Sequence, residues 1–71
     1  MDQTNERFLA EANEQIANAE VGIAGVHAHV AELELGGRDA RAALNLLEEL
    51  ENALELMRRH RDEIVRLLGN A

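Results

Sequence analysis

The chain has 71 residues, a length that suits one small domain whose core alone supplies only about 3–5 kcal/mol of stability. Cysteine is absent, which excludes disulfides and thiolate metal sites. The net charge of −7 repels nucleic acids and anionic lipids on average. Serine, tyrosine and tryptophan are also missing, so the chain is poor in nucleophiles and we expect no catalytic residues and no enzyme.

The N-terminal residues lack the basic and apolar regions of a secretory signal. The most apolar stretch, residues 21–31, is short and contains two histidines, so it does not resemble a membrane span. We therefore expect a cytoplasmic protein that does not contact membranes.

The first predicted element is a helix over about residues 3–35, because apolar residues recur every three or four positions. Asp2 or Thr4 is expected to cap its start, and Gly36 is expected to adopt the left-handed conformation that ends it. Two internal glycines among β-branched residues could suggest a strand, but the spacing continues through them unchanged and favours a helix. This first apolar stripe consists of Leu9, Ala12, Ile16, Ala19, Ile23, Val26, Val30 and Leu33.

A turn at residues 36–38 and a second helix over about residues 39–68 follow. Asp39 is a suitable N-cap for this helix. The same three-four spacing produces a second stripe, interrupted by a single charged residue, Arg61. The second stripe consists of Ala40, Ala43, Leu47, Leu50, Leu54, Met57, Arg61, Ile64 and Leu68.

The two stripes match each other in an antiparallel register. Each stripe residue of one helix meets a stripe residue of the other when their numbers add up to 73, from Leu33 with Ala40 to Leu9 with Ile64. The sequence thus predicts an all-α fold, a single helical-hairpin domain spanning residues 1–71. The glutamates before the turn are expected to lie beside Arg38 and Arg41, and the arginines of the second helix beside the acidic start of the first.

One flank of the hairpin is apolar. With Leu9 and Ala40 as heptad a positions, the g positions of both helices lie on the same side. We call this surface the g flank; it consists of Phe8, Gln15, Gly22, His29, Leu46, Ala53, His60 and Leu67. The opposite e flank is more polar and carries Asn13, Glu20, Glu34, Glu51 and Arg58. An apolar flank predicts that two hairpins form a homodimeric four-helix bundle, with the g flank as the dimer interface.

Gly22 and Ala53 lie at mid-length of the g flank and form a narrow waist where a twofold axis could pass. His29 of one subunit would then approach His60 and Gln15 of the other, as a hydrogen-bonded layer, a pH-sensitive contact or a pair of metal ligands. The alternative is that the glycine is merely tolerated. The sequence does not decide whether the hairpins are parallel or antiparallel.

Arg61 is the single charge in the stripe and lies opposite Ala12. Its guanidinium is expected to reach Glu11, Glu14 or a partner subunit. It either fixes the register and orientation of the subunits or simply extends to solvent, and both interpretations stay open.

Other clusters of charged residues carry weaker signals. Arg58, Arg59 and Arg66 form a candidate basic patch, but Asp62 and Glu63 interrupt it and no aromatic side chain accompanies it for stacking. Most acidic residues of the second helix fall at outward heptad positions, and no Glu-x-x-His pattern of a di-iron bundle occurs. We expect no metal ligand and no cofactor.

The second helix resembles small uncharacterised helical-hairpin proteins of alphaproteobacteria through Gly37, Arg38, Asp39 and residues 60–64 (His-Arg-Asp-Glu-Ile). The positions Ala43, Leu46, Leu47, Leu50 and Leu54 are shared as well. This resemblance implies no established activity. The architecture is similar to that of Rop, the RNA-binding hairpin dimer of plasmid copy control.

The preferred prediction is a bacterial homodimer that acts through protein contacts, as an adaptor or regulator with an unidentified protein partner. A Rop-like nucleic-acid binder is the second prediction, and a histidine- and carboxylate-based metal-binding bundle is the third.

Overall fold

A computed structural model describes residues 3–69 of the chain. They form two α-helices and no strand: α1 spans Gln3–Leu35 and α2 spans Arg41–Gly69. The molecule measures 55 × 14 × 12 Å, so it is a rod two helices wide. The predicted all-helical hairpin is confirmed, and α1 continues without interruption through Gly22 and Gly25, as the three-four spacing required.

Both stripes pack between the helices in the predicted antiparallel register. A central cluster joins four buried residues to four half-buried ones, and the cluster contains the predicted pairs around mid-length. Its members are Ile16, Ala19, Ile23, Val26, Leu47, Leu50, Leu54 and Met57. All stripe residues are buried or half-buried, and beyond the stripes only Asn5 and Ala53 among the described side chains are not exposed. No large side chain of the described range is completely buried, which is expected of a core only one layer thick.

The turn is closed by Gly37 rather than by Gly36. Gly37 has a φ of +67°, and its N–H donates to the carbonyl of Glu34 at 3.1 Å, while Arg38 N–H donates to the carbonyl of Leu33 at 2.8 Å. This pair of hydrogen bonds is the Schellman arrangement, in which the left-handed residue follows the last helical turn. The expectation for Gly36 was wrong by one position, because either glycine satisfies the steric requirement.

Asp39 caps the start of α2. Its Oδ1 accepts a hydrogen bond from Arg41 N–H at 2.9 Å, and the Arg41 side chain donates to the same carboxylate. These bonds from the side chain and the backbone of Arg41 lower the pKa of Asp39. The helix itself begins two residues after the predicted start. At the other end of the hairpin, Thr4 lies inside α1 and does not precede it, and Asp2 lies outside the described residues.

Candidate interaction surface

The two sides of the hairpin differ in how well they are covered. The a positions near mid-length are buried, as Ile23 and Leu47 show, whereas the d positions there are half-buried, as Val26 and Leu50 show. Because d positions lie beside the g flank and a positions beside the e flank, the apolar core is open toward the g flank. We call the half-buried apolar d positions the d row; it consists of Ala19, Val26, Leu33, Ala43, Leu50 and Met57.

The g flank lies next to this d row and is itself largely exposed. Phe8 is 50% exposed, Leu46 46% and Leu67 55%. Ala53 is half-buried, and the remaining g residues are exposed. The d row and the g flank together form a continuous strip along the hairpin in which no residue carries a formal charge at neutral pH with histidine neutral.

A groove of about 480 Å³ cuts into the g flank at the open end of the hairpin, where α1 starts and α2 ends. Its lining includes four of the predicted interface residues, Phe8, Gln15, His60 and Leu67. The other lining residues are Asn5, Glu11, Ala12 and Ile64. The other four predicted interface residues, Gly22, His29, Leu46 and Ala53, lie beyond the groove on the same flank.

Asn5 and Glu11 were not among the predicted site residues. A signal for Asn5 existed, because Asn5 continues the three-four spacing of the first stripe by one step and its number adds up to 73 with that of Leu68. Its half-buried position agrees with that continuation. Glu11 occupies a c position at the edge of the groove, and the heptad pattern alone does not distinguish it from other outward acids.

Gly22 has no packing role within the single hairpin. A methyl group added at Gly22 would meet no atom within 4 Å. Since glycine lowers helix stability by about 1 kcal/mol relative to alanine, the hairpin by itself would be more stable with alanine here.

The middle of the e flank is bridged by polar contacts between the helices. Arg58 donates to Glu20 at 3.0 Å, and His27 Nε2 lies 3.7 Å from Glu51. The ends of the same flank carry Leu44 and Val65, which are 43% and 47% exposed. The predicted polar character therefore holds for the centre of the e flank, and each end combines one polar and one apolar residue, Glu34 with Leu44 and Asn13 with Val65.

Arg61 points toward the e flank. Its Nε donates to Asp62 at 2.7 Å and one terminal nitrogen donates to Asn13 at 3.5 Å. It does not reach Glu11 or Glu14, because an a position lies beside the e flank whereas these two glutamates are on the c and f sides of α1. The third predicted alternative, a contact with a partner subunit, stays a prediction.

The candidate basic patch is engaged with acidic residues of the same chain. Arg59 pairs with Glu55 at 3.2 Å, Arg66 pairs with Glu63, and Arg58 pairs with Glu20 on α1. Of these arginines, only Arg58 forms an ion pair with α1 within the described residues, and its partner Glu20 lies in the middle of that helix. The expected ion pairs with the acidic start of α1 are therefore not found among the described residues. At the turn, Arg41 pairs with Asp39 rather than with the glutamates that precede the turn.

Two further properties concern the described residues as a whole. Among residues 3–69, no three histidine, aspartate or glutamate side chains gather closely enough to share a metal ion. Neither helix, over the same range, combines length with enough apolar character to cross a bilayer. The cytoplasmic location stays a prediction.

No protein-family model matches the chain, and no curated protein or solved structure matches it either. The resemblance of α2 to the alphaproteobacterial hairpins therefore stays a prediction.

Proposed function

We propose that the protein is a homodimeric interaction module, in which two hairpins pack g flank against g flank to form a four-helix bundle. It acts through protein contacts rather than through catalysis. The observation that carries the proposal is the open core: the d row is only half-covered by the hairpin, and a second layer of helices on the g flank would complete its burial.

The exposed area of the chain supports a second copy of the hairpin as the cover. A compact monomer of 7.9 kDa exposes about 4,400 Å² according to the size scaling of folded proteins. The hairpin exposes 5395 Å², which is about 1,000 Å² more than that scaling. A standard protein interface buries about 800 Å² on each partner, so one such interface accounts for most of the excess.

The charge distribution also favours self-association through this flank. Each chain carries a net charge of −7, so two copies repel each other over most of their surfaces. The g flank contains no aspartate, glutamate or arginine, and the centres of protein interfaces are depleted of charge in the same way. A twofold symmetric contact needs a single self-complementary patch on each copy, and the g flank is such a patch.

Nucleic-acid binding has less support than self-association. Counterion release from nucleic acid requires arginines that can reach phosphates, whereas Arg58, Arg59 and Arg66 each pair with a glutamate of their own chain. A phosphate would have to displace these carboxylates.

The proposal is tested by sedimentation equilibrium of the parent chain and of two matched variants. Leu46 and Leu44 lie two residues apart on α2, with 46% and 43% exposure, on the g flank and on the e flank respectively. The parent is expected at twice 7.9 kDa. Leu46→Glu is expected to be monomeric, because an unpaired carboxylate buried in an interface costs several kcal/mol.

Leu44→Glu serves as the control and should remain dimeric, because its side chain lies on the opposite flank. A monomeric parent would contradict the proposal. So would a Leu46→Glu variant that dimerises as tightly as the parent.

A further inference from the structure

We infer that the two hairpins of the dimer meet head to tail, so that the groove at the open end of one copy receives the turn half of the other. This inference rests on the proposed homodimer and names its arrangement. The groove of about 480 Å³ then receives the surface around Leu46, Leu33 and His29 of a second copy.

Two hairpins can stack face to face in two symmetric ways. In a head-to-head dimer the twofold axis runs along the helices, and residues at equal height face each other. In a head-to-tail dimer the axis runs across the helices, and the open end of one copy faces the turn end of the other. Both arrangements bury the same g flank, so its composition alone does not distinguish them.

The position of the groove distinguishes them. A head-to-head dimer would place groove over groove, so that neither groove faces a surface that could fill it, although protein interiors rarely contain voids much larger than a water molecule. A head-to-tail dimer instead places over each groove the turn half of the flank, whose g residues do not line the groove and include Leu46, 46% exposed.

A twofold axis across the waist formed by Gly22 and Ala53 sets which residues of the two copies lie at the same height. Gln15 and His29 each lie seven residues from Gly22, and His60 and Leu46 each lie seven residues from Ala53. An axis across the waist therefore brings Gln15 of one copy level with His29 of the other, and His60 level with Leu46. The groove centre, around Ala12 and Ile64, comes level with Leu33 and Ala43 of the other copy.

The waist also explains a glycine that the single hairpin does not need. A methyl group at Gly22 meets no atom within 4 Å in the hairpin, so its absence has no packing reason there. In the head-to-tail dimer Gly22 faces Gly22 of the second copy, and two helices can approach most closely where neither carries a side chain.

One polar side chain of the groove, Gln15, gains a partner in this arrangement. Gln15 lines the groove beside apolar Phe8 and Leu67. The head-to-tail arrangement brings the imidazole of His29 level with the Gln15 amide, which can both donate and accept a hydrogen bond.

The absence of cysteine permits a direct test by disulfide formation between single-cysteine variants. Gln15→Cys mixed with His29→Cys is expected to give a covalent dimer under mild oxidation, and Gln15→Cys mixed with His60→Cys is expected to give at least tenfold less. In the head-to-tail dimer the second pair lies about 20 Å apart along the bundle, whereas a disulfide requires Cα atoms within about 7 Å.

Sedimentation of each reduced variant is the control that separates this inference from the proposed homodimer. The reverse crosslinking pattern in a dimeric protein would overturn the head-to-tail arrangement and leave the homodimer intact. Failure of both mixtures in a dimeric protein would overturn it as well. A parent chain that is monomeric at every concentration would overturn the homodimer itself.

Discussion

The two flanks of the hairpin are formed by the same two helices but differ in how well they cover the core. On the e flank the buried a positions are covered, and Arg58 and Glu20 join the helices at 3.0 Å. On the g flank the d row is left half-covered beneath exposed residues such as Phe8 and Leu46. A two-helix layer can therefore cover its core on one side and leave it open on the other. The open side is the one where we propose that a second hairpin packs.

The largest expected effect comes from comparing the a and d positions within the core. Leu47 is 7% exposed and Leu50 is half-buried in the hairpin. If the g flank is covered, both Leu47→Ala and Leu50→Ala should cost about 2–5 kcal/mol in urea unfolding at concentrations where the dimer forms. Upon dilution to the monomer, the cost of Leu50→Ala should fall below that of Leu47→Ala. A small cost for Leu50→Ala at every concentration would show that the d row stays open.

An intermediate effect is expected at the waist. Gly22→Ala should raise the helix stability of the dilute monomer by about 1 kcal/mol and should weaken the dimer, because the added methyl groups separate the two α1 helices. Val21→Ala is the matched control, since Val21 is 72% exposed on the back of α1 and its replacement also raises helix propensity. Sedimentation and thermal unfolding measure the two effects separately. Tighter dimerisation of Gly22→Ala would show that the close approach of the two α1 helices does not require glycine at this position.

The smallest effect is expected on the e flank. Arg58→Gln removes the ion pair with Glu20, whose partners are 46% and 51% exposed, and such pairs contribute about 0.2–1 kcal/mol. Thermal unfolding should show this loss at low salt and less of it at high salt, with no change in the mass of the dimer. Arg59→Gln is the control, because its pair with Glu55 lies within α2. Dissociation of the dimer in Arg58→Gln would indicate that the interface lies on the e flank and would contradict its assignment to the g flank.

Much of the fold could be predicted from the sequence because a two-helix core depends on periodicity alone. Each residue of the two stripes is buried or half-buried, and the antiparallel register follows from their numbering. The turn was predicted less accurately, since Gly36 and Gly37 are equally able to adopt a positive φ and only the hydrogen bonds identify Gly37. The contacts of Arg61 were not predicted, although its a position already places it beside the e flank.

The sequence predicted which residues share the candidate surface, but it did not predict the groove in that surface. Heptad positions place Phe8, Gln15, His60 and Leu67 on one side, and the structure adds that they surround a groove. The half-coverage of the d row is also a structural finding, because a sequence stripe assigns a and d positions equally to the core. These two features carry the proposed dimer and its arrangement.

Thiol labelling tests most directly whether a second copy covers the g flank and leaves the e flank free. Leu46→Cys and Leu44→Cys replace side chains of nearly equal exposure in the hairpin, 46% and 43%, in a chain without other cysteines. At concentrations where the dimer forms, the thiol at position 46 should react at least tenfold more slowly than the thiol at position 44, and dilution should abolish the difference. Equal reactivity of the two thiols at every concentration would contradict the account.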